Sequence, residues 1–335
     1  MASTKNTDIL KGKTVLVTGG AGSFGKSFVK YLLANTATKK VIVFSRDELK
    51  QYHMSRELHD DRLRFFLGDV RDLPRLQRAF SGVDVVVHAA ALKQVPALEY
   101  NPMEAVKTNV LGSQNVVEAA IDCGVSHALL ISTDKAAYPA NLYGSTKLCA
   151  EKLFVAGNAL SGNKTKFAAV RYGNVLGSRG SIVETLLQNR GKTVHITDPN
   201  MTRFWINLEQ AAALVMFALR QMEGGEIFIP KIPSMKLVDL VNAIAPDAEK
   251  KIIGMRPGEK IHEVLLTAEE AAHTVDFGDY YVVIPESEFL PREAYAKYAR
   301  AGKAIKNKFL LTSDHNTKWI TKKELQALMS GITEV

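Results

Sequence analysis

Residues 14–25 of the chain read TVLVTGGAGSFG, a short β-branched run that leads directly into a glycine-rich turn. The glycines at positions 19, 22 and 25 are spaced three apart, and a helical stretch follows them. After a strand, the first such glycine permits a tight turn, the second admits a pyrophosphate, and the third lets helix pack closely on strand. The helix start adds amide donors for the phosphates. The predicted cofactor contacts in this stretch are Gly19, Gly22, Ser23, Phe24 and Gly25.

Strands and helices alternate through the first half of the chain. Apolar runs that predict strands recur at 14–17, 41–44, 63–67, 84–88, 128–131 and 167–171. Continuous apolar strands between amphipathic helices indicate a mostly parallel sheet that is covered on both faces. Right-handed crossovers then give a doubly wound α/β fold of the Rossmann type.

The pattern loosens after about Asn174, where glycines and prolines divide the sequence into short elements. We predict an NADP-binding domain over residues 1–174 and, over 175–335, mainly a smaller substrate-binding lobe. Later segments, around 203–230, are expected to return to the large domain. Residues 226–229 are the candidate for an extra strand of its sheet.

The composition limits the class of protein. Hydrophobic residues make up 46% and charged residues 23% of the 335 positions, as in ordinary globular proteins. The polar start has no signal-peptide core, and no apolar stretch reaches the ~20 residues that span a bilayer. Two cysteines, Cys123 and Cys149, make neither a disulfide framework nor a metal-ligand pattern. These features predict a cytoplasmic protein with no membrane anchor and no metal site.

The net charge of +8 suits an anionic small-molecule substrate such as a nucleotide diphosphate. No run of Lys and Arg with interleaved aromatic residues is present, so nucleic-acid binding is not predicted.

The end of the second strand bears on the choice of cofactor. Ser45, Arg46 and Lys50 can bind the 2′-phosphate of NADP. Asp47 could instead bind a ribose hydroxyl of NAD, so NAD is the alternative cofactor. We favour NADP. The remaining predicted cofactor contacts follow the third and fourth strands: Asp69 and Val70 beside the adenine, and Ala89 and Ala90 at the sheet edge.

A second cluster of functional residues lies at 133–147. Tyr143 and Lys147 are four apart, which on a helix places both side chains on one face. An ammonium near a phenol lowers the phenol pKa, so the pair can take a proton from a sugar hydroxyl while a hydride leaves the same carbon. Thr133, Asp134 and Lys135 directly follow an apolar strand, and their acid and amine can serve a second proton transfer that eliminates water. The alternative for Asp134 and Lys135 is an ion pair that caps the strand.

Further motifs are FSRDELKQ (44–51), GDVRD (68–72), HAAALKQVP (88–96), STDKAAYPANLYGSTK (132–147), RYGNVLGSRGS (171–181), ITDPNMTRFW (196–205) and RPGEKIHE (256–263). Together with the glycine turn and the Tyr143–Lys147 pair, they resemble the extended short-chain dehydrogenase/reductases that act on nucleotide sugars. The likeness is greatest to the soluble, C5-inverting UDP-N-acetylglucosamine 4,6-dehydratases that open pseudaminic acid biosynthesis. It runs from about Lys11 to about Pro285. A related branch that epimerises the sugar further has methionine in place of Tyr143, so the tyrosine favours the plain dehydratase.

The resemblance implies a reaction in three steps. NADP+ takes a hydride from C4 of the sugar, water leaves across C5 and C6, and hydride returns to C6 while a proton adds to C5 from the opposite face. The product is then a UDP-2-acetamido-2,6-dideoxy-4-keto-hexose of L-arabino configuration. It also implies a homo-oligomer, with a hexamer as one form.

The same resemblance implies roles for the residues. Tyr143 would be the base for the 4-hydroxyl, and Lys147 would lower its pKa and hold the nicotinamide ribose. Thr133 would bond the 4-oxygen, Asp134 would protonate the leaving 6-hydroxyl, and Lys135 would handle the C5 proton. The division among Asp134, Lys135 and Tyr143 stays open, because coupled groups often exchange roles.

The substrate diphosphate needs cationic or amide donors. Guanidinium groups suit phosphate geometry, so Arg203 and Arg256 are the first choices. Lys93 and Asn174 are further candidates, and Arg179 and Glu259 follow them; each has a surface or interdomain salt bridge as its alternative role.

Two other functions fit part of the sequence. A nucleotide-sugar 4-epimerase or 4-keto reductase would share the glycines and the Tyr143–Lys147 pair but would not need Asp134 and Lys135. A non-catalytic NADP-binding sensor, or a nucleic-acid-binding protein of the same superfamily, would have a damaged catalytic set. Thr133, Tyr143 and Lys147 are all present.

Overall fold

The computed structural model describes residues 8–188, 192–286, 290, 292–321 and 323–325. The strands are β1 (Thr14–Thr18), β2 (Lys40–Ser45), β3 (Leu63–Leu67), β4 (Val85–His88), β5 (His127–Ile131), β6 (Lys166–Val170), β7 (Asn174–Val175), β8 (Val194–Ile196), β9 (Thr202–Ile206), β10 (Ile227–Pro230), β11 (Ser234–Lys236), β12 (Lys250–Ile252), β13 (Val264–Leu266), β14 (Thr274–Phe277), β15 (Tyr280–Val283), β16 (Lys303–Ala304) and β17 (Leu311–Thr312).

The α-helices are α1 (Ser23–Asn35), α2 (Glu48–Glu57), α3 (Leu73–Phe80), α4 (Val95–Tyr100), α5 (Pro102–Ala105), α6 (Gly112–Asp122), α7 (Leu142–Leu160), α8 (Ile182–Gln188), α9 (Leu208–Gln221), α10 (Leu237–Ile244) and α11 (Ala296–Ala301). A π-helical segment, Val106–Leu111, joins α5 to α6, and short 3₁₀ helices cover Asp134–Ala136, Glu270–His273 and Arg292–Tyr295.

The large sheet has the strand order of a dinucleotide-binding fold. Within the described residues ten strands form it, in the order β16-β14-β15-β10-β6-β5-β4-β1-β2-β3. The strands from β10 to β3 in this order run parallel to one another. The other three pair antiparallel with their neighbours: β15 with β10, β14 with β15, and β16 with β14. Strand order reverses between β1 and β4, which leaves a crevice at their carboxyl ends. The doubly wound, mostly parallel sheet predicted from the sequence is confirmed.

The central strands are buried because helices cover both faces of the sheet. All five residues of β1 and all four of β4 are buried, as expected for continuous apolar strands. Helix α1 packs against α9, whereas α6 packs against both α3 and α7. The crossover from β1 to β2 runs in one direction along the sheet, whereas those from β3 to β4, β4 to β5 and β5 to β6 run in the other. Since such crossovers are right-handed, these two groups of helices lie on opposite faces.

The chain returns to the large sheet after residue 174. β10 pairs with β6, so the strand expected at residues 226–229 lies in the sheet at 227–230. β14, β15 and β16 extend the same sheet from within the segment assigned mainly to the substrate lobe. The division of the chain at residue 174 stays a prediction, and the second half contributes more to the large sheet than that division expects.

A smaller lobe surrounds a second apolar core. Strands β7, β9 and β11 form one sheet, and β8 pairs with β12. Trp205 on β9 is almost fully buried among side chains of α8 and α10. In the described parts of the chain, no helix combines the length and apolar character needed to cross a bilayer.

Candidate active site

Close backbone approach explains the glycines after β1. Gly19 has a φ of +65°, and a Cβ on it would lie 2.8 Å from the backbone nitrogen of Ala90. A Cβ on Gly25 would lie 2.5 Å from the carbonyl oxygen of Gly19. The N-cap of α1 is Gly22, which provides no side-chain cap, so the first amides of the helix can meet an anion. The turn therefore fits a pyrophosphate group.

The end of β2 presents a hydroxyl group and two cations. The buried Gln51 donates its Nε2 to Ser45 Oγ at 3.0 Å. Because an amide nitrogen only donates, the hydroxyl of Ser45 keeps its own hydrogen for another acceptor. Asp47 is the N-cap of α2: it accepts from Lys50 N at 3.0 Å and lies 2.6 Å from Lys50 Nζ. Arg46 lies 3.7 Å from Asp69, and its side chain is 55% exposed.

Two adjoining cavities, of about 240 and about 580 Å³, run along the carboxyl edge of the sheet. The smaller cavity is lined by the predicted cofactor residues that follow β1 to β4: Gly19, Gly22, Ser45, Arg46, Lys50, Asp69, Val70, Ala89 and Ala90. The larger cavity, called the cleft below, is lined by the others: Ser23, Phe24, Gly25 and Lys147. The structure thus brings all of these predicted residues to one continuous edge.

A glycine allows α7 to approach the loop after β5. A Cβ on Gly144 would lie 2.1 Å from the carbonyl oxygen of Lys135. The N-cap of α7, Asn141, accepts from the Gly144 amide at 2.9 Å and donates to the carbonyl of Gly258 at 2.8 Å. This packing places four predicted catalytic residues on the wall of the cleft, namely Thr133, Lys135, Tyr143 and Lys147.

The electrostatics around Tyr143 differ from the sequence-based expectation. Burial raises the pKa of Tyr143, and the groups that oppose this are the ammonium of Lys135 and a hydrogen bond with Thr133. Lys147 was expected to supply that effect. Instead, burial lowers the pKa of Lys147 itself to about 8, against the pull of Glu151. The charge of Lys135 therefore favours the phenolate form of Tyr143, and a contribution from Lys147 stays a prediction.

Asp134 and Lys135 are in contact in a buried part of the site. Asp134 is fully buried; its Oδ1 lies 3.0 Å from Lys135 Nζ and accepts from Thr133 Oγ1 at 2.9 Å. Burial raises the pKa of Asp134, Lys135 opposes this, and the nearby carboxylate of Glu263 adds to it. The Lys135 side chain is 22% exposed and reaches the cleft, so the pair is not sealed off from a ligand.

Three of the six predicted substrate residues line the cleft, namely Lys93, Asn174 and Arg179. Burial lowers the pKa of Lys93. The Arg179 amide donates to Ser23 Oγ at 3.0 Å, which holds the loop after β7 against the start of α1.

The other three have different surroundings. Arg203 is buried, and its terminal nitrogens donate to the carbonyls of Thr202, Lys260 and Ile261 at 2.7–3.0 Å. These bonds occupy the guanidinium group of Arg203, which does not line the cleft. Arg203 is therefore not available to bind the substrate diphosphate. Glu259 accepts from the Arg256 amide at 3.1 Å and closes a turn outside the cleft lining. Contacts of Arg256 and Glu259 with substrate remain predictions.

Unsatisfied polar atoms mark the substrate end of the cleft. Within the described residues, Asn174 Oδ1, Ser181 Oγ and Trp205 Nε1 are buried without a hydrogen-bond partner, and all three residues line the cleft. A buried polar atom without a partner costs about 1–3 kcal/mol, so a polar ligand that reaches these atoms gains affinity. The cleft therefore fits a polar, anionic ligand beside the dinucleotide.

Sequence reasoning missed several residues of this region. Gln51 donates to Ser45, Asn141 caps the helix that carries Tyr143, the Lys260 carbonyl accepts from Arg203, and Glu263 lies near Lys135. The motif RPGEKIHE contains Lys260 and Glu263, but its spacing does not show which side chains turn inward.

Comparison with known proteins agrees with this geometry. Residues 15–285 match the family model described as polysaccharide biosynthesis protein. The chain belongs to the polysaccharide biosynthesis protein family. Of this family's curated relatives, the UDP-N-acetylglucosamine 4,6-dehydratase (inverting) of Campylobacter jejuni strain 81-176 is 48% identical, over 95% of this chain and 97% of its own length. A UDP-glucose 4-epimerase of Rickettsia felis is 40% identical, over 96% and 97%.

Solved structures show the same fold. Pen from Bacillus thuringiensis superposes with a TM-score of 0.86 at 35% identity, over 96% of this chain and 98% of that one. The UDP-glucose 4-epimerase of Thermus thermophilus, solved in complex with NAD, has a TM-score of 0.64 at 25% identity, over 73% and 88%. The resemblance to extended short-chain dehydrogenase/reductases is confirmed.

Proposed function

We propose that this chain is a nicotinamide-dependent UDP-N-acetylglucosamine 4,6-dehydratase that inverts C5. The observation that carries the proposal is that Lys135 and Tyr143 share the wall of one cleft, with Asp134 buried directly behind Lys135. A 4-epimerase needs a single acid–base group at C4, whereas loss of water needs a second set. The 48% identical relative from Campylobacter jejuni supports the same reaction.

The chain's own groups divide this work. A bound nicotinamide cofactor would supply the hydride acceptor for C4 of the hexose and the hydride donor for C6. Tyr143 takes the 4-hydroxyl proton, aided by the ammonium of Lys135 that favours its phenolate. Asp134 is the acid for the leaving 6-hydroxyl, because burial favours its protonated form. Tyr143 takes the C5 proton after it has passed the first proton to Lys147, whose pKa of about 8 lets it accept one. The ammonium of Lys135 then returns a proton to C5 from the opposite face, and solvent restores both groups. Lys147 lies on the same face of α7 as Tyr143, and we infer that it binds the nicotinamide ribose.

The cofactor we infer is NADP. Ser45 retains a hydroxyl hydrogen, and Arg46 and Lys50 line the same cavity, so the end of β2 suits a phosphate. The acid that would bind an NAD ribose, Asp47, already caps α2 and pairs with Lys50. Calorimetric titration should therefore give tighter binding of NADP+ than of NAD+; equal affinities would remove this part of the proposal.

The substrate we infer is a UDP-sugar. Lys93 and Arg179 supply positive charge to the cleft, and Asn174, Ser181 and Trp205 supply unsatisfied polar atoms. A homo-oligomeric, cytoplasmic enzyme of pseudaminic acid synthesis remains the expectation from the motif resemblance.

One incubation tests the reaction. The protein is mixed with NADP+ and UDP-N-acetylglucosamine in heavy water, and the sugar is followed by mass spectrometry and NMR. We expect loss of one water, deuterium at C5 and the L-arabino configuration. Y143F should abolish turnover, whereas Y100F, a matched change at an exposed tyrosine on α4, should not. A product of unchanged mass with inverted C4 would instead assign the epimerase activity of the Rickettsia relative.

A further inference from the structure

The buried acid Glu263 faces the Asp134–Lys135 pair from another part of the chain. It directly precedes β13, and its side chain is 4% exposed. Its Oε1 lies 3.5 Å from Lys135 Nζ, while Asp134 Oδ1 lies 3.0 Å from the same nitrogen. Two buried carboxyl groups therefore share one ammonium group.

We propose that Glu263 is a positioning residue of the dehydration step. It holds the ammonium of Lys135 beside Asp134 and leaves Asp134 as the carboxyl group that carries a transferable proton. This inference rests on the proposed function, because it assigns a role within the loss of water.

The surroundings of Glu263 keep it ionised. Its Oε2 lies 3.1 Å from Lys260 Nζ, and its Oε1 lies 3.8 Å from Arg203 Nε. Arg203 is fixed by its bonds to backbone carbonyls, and Lys260 also donates to the loop after β5. Burial alone would raise the pKa of Glu263, but Lys135, Arg203 and Lys260 lower it to about 2. The neighbouring His262 turns its ring to Thr202 instead, with Nδ1 2.9 Å from Oγ1.

The surroundings of Asp134 favour the opposite state. Its Oδ1 contacts Thr133 and Lys135, whereas Oδ2 is buried and has no hydrogen-bond partner among the described residues. Oε2 of Glu263 also lacks a partner of hydrogen-bond geometry, but the Lys260 ammonium lies 3.1 Å from it. A carboxylate oxygen without a donor is the position that a proton stabilises. Burial and the charge of Glu263 both raise the pKa of Asp134, and Lys135 opposes them. Environments that push two carboxyl pKa values apart divide the pair into an acid and a fixed charge.

Glu263 also fixes the charge of Lys135. Burial alone would lower the pKa of Lys135, but Asp134 and Glu263 together raise it, against the repulsion of Arg203. Lys135 is therefore an ammonium group when Asp134 gives up its proton. The carboxylate that forms on Asp134 then has a cation 3.0 Å away, which favours the transfer. Without the charge of Glu263, one cause of the raised pKa of Asp134 is lost, so Asp134 holds its proton less firmly beside Lys135.

The substitution E263Q tests this role with NADP+ and UDP-N-acetylglucosamine. We expect C4 oxidation to persist, so that reduced cofactor accumulates and is seen by its absorbance. Loss of water should slow about 100-fold at neutral pH, the scale of a lost general acid. The rate should recover towards acid pH, where Asp134 regains its proton.

Two variants separate charge from structure. E263D keeps the carboxylate, so it should keep the wild-type pH profile at a lower rate. E249Q removes an exposed acid of the same lobe, which contacts Thr193, and should change neither rate nor profile. A wild-type rate and pH profile in E263Q would overturn the proposal.

A spectroscopic measurement is independent of the substrate and of the reaction. The infrared band of a protonated carboxyl group should be present in the substrate-free wild type at neutral pH and absent in D134N. E263Q should also lose it. If the wild type does not dehydrate the sugar, the proposed function fails while this band still tests Glu263. If E263Q does not fold, the comparison of wild type with D134N still tests the proposal. A wild-type spectrum without a carboxyl band that D134N removes would overturn it.

Discussion

Two lysines of the cleft have opposite electrostatic surroundings. Lys135 lies between two carboxyl groups, which raise its pKa although it is buried. Lys147 is 3% exposed, and burial lowers its pKa to about 8. Lys135 is therefore a fixed cation, whereas Lys147 changes protonation just above neutral pH. The two roles follow from neighbours, not from residue type.

The buried charge of Lys147 should reduce stability at neutral pH. Its folded pKa lies below the ordinary value of 10.5, so the unfolded chain binds more protons between about pH 8 and 10.5, and stability rises through that window. The free energy of unfolding of K147M should therefore exceed that of the wild type by up to ~3 kcal/mol at pH 7. Most of this gain in stability should disappear by pH 10.5. Denaturant unfolding at both pH values measures it.

K152M is the matched control, since Lys152 is an exposed residue of the same helix. A similar gain in K152M, or a gain in K147M that does not change with pH, would contradict this account. K147M should also lose turnover, because the cation at the ribose position is gone.

Sequence patterns predicted best the positions of residues that lie close together in the chain. The glycine turn, Tyr143 and Lys147 depend on spacing within one strand–helix unit, and all line the cavities. Arg203 and Glu263 depend on packing between distant segments. A motif shows that such residues are present but not whether they face a ligand or one another. For that reason Arg203 was expected at a diphosphate and lies instead against Glu263 and three carbonyls.

At the scale of elements, strands with a long apolar run were predictable and short ones were not. β1 to β6 have four to six residues each, mostly apolar, between helices of the expected period. In the smaller lobe, β7, β8, β11 and β12 have two or three residues. A run that short contains no measurable alternation, so hydrophobic periodicity cannot assign it.

The contact between α7 and the loop after β5 depends on Gly144. A Cβ there would lie 2.1 Å from the carbonyl oxygen of Lys135, so G144A must displace either the helix or the loop. We expect a loss of about 1–3 kcal/mol in unfolding free energy, the usual cost of overpacking. Turnover should fall about 100-fold, because a displacement near 1 Å separates Tyr143 from Lys135.

Thermal unfolding and steady-state rates measure these effects. The neighbouring substitution S145A on the same helix removes a bond to the Asn141 carbonyl and should leave the rate near that of the wild type. A G144A enzyme with full activity would show that this approach is not required.

At the scale of the molecule, the second half of the chain closes around the catalytic loop. Lys260 donates to the carbonyls of Ala137 and Tyr138, and Asn141 donates to Gly258. A deeper connection is Arg171, at the end of β6, which pairs with Glu151 on α7 and with Glu270 beyond β13. Arg171 therefore joins the helix that carries Tyr143 to the segment that carries Glu263.

Removing Arg171 should separate these parts. Its guanidinium lies 2.6 Å from Glu151 and 2.8 Å from Glu270, and R171M leaves both acids without it. We expect a loss of about 3–5 kcal/mol in unfolding free energy at pH 7, as for other broken buried pairs. Although burial alone would raise the pKa of Glu270, Arg171 lowers it, so this stabilisation is lost as pH falls below the ordinary glutamate value. Urea unfolding should therefore show a smaller difference in unfolding free energy between R171M and the wild type at acid pH. Adding E270Q to R171M should restore part of the lost stability. The control R220M, at an exposed arginine on α9, should have little effect. A difference that is equal at both pH values would assign the loss to packing instead of charge.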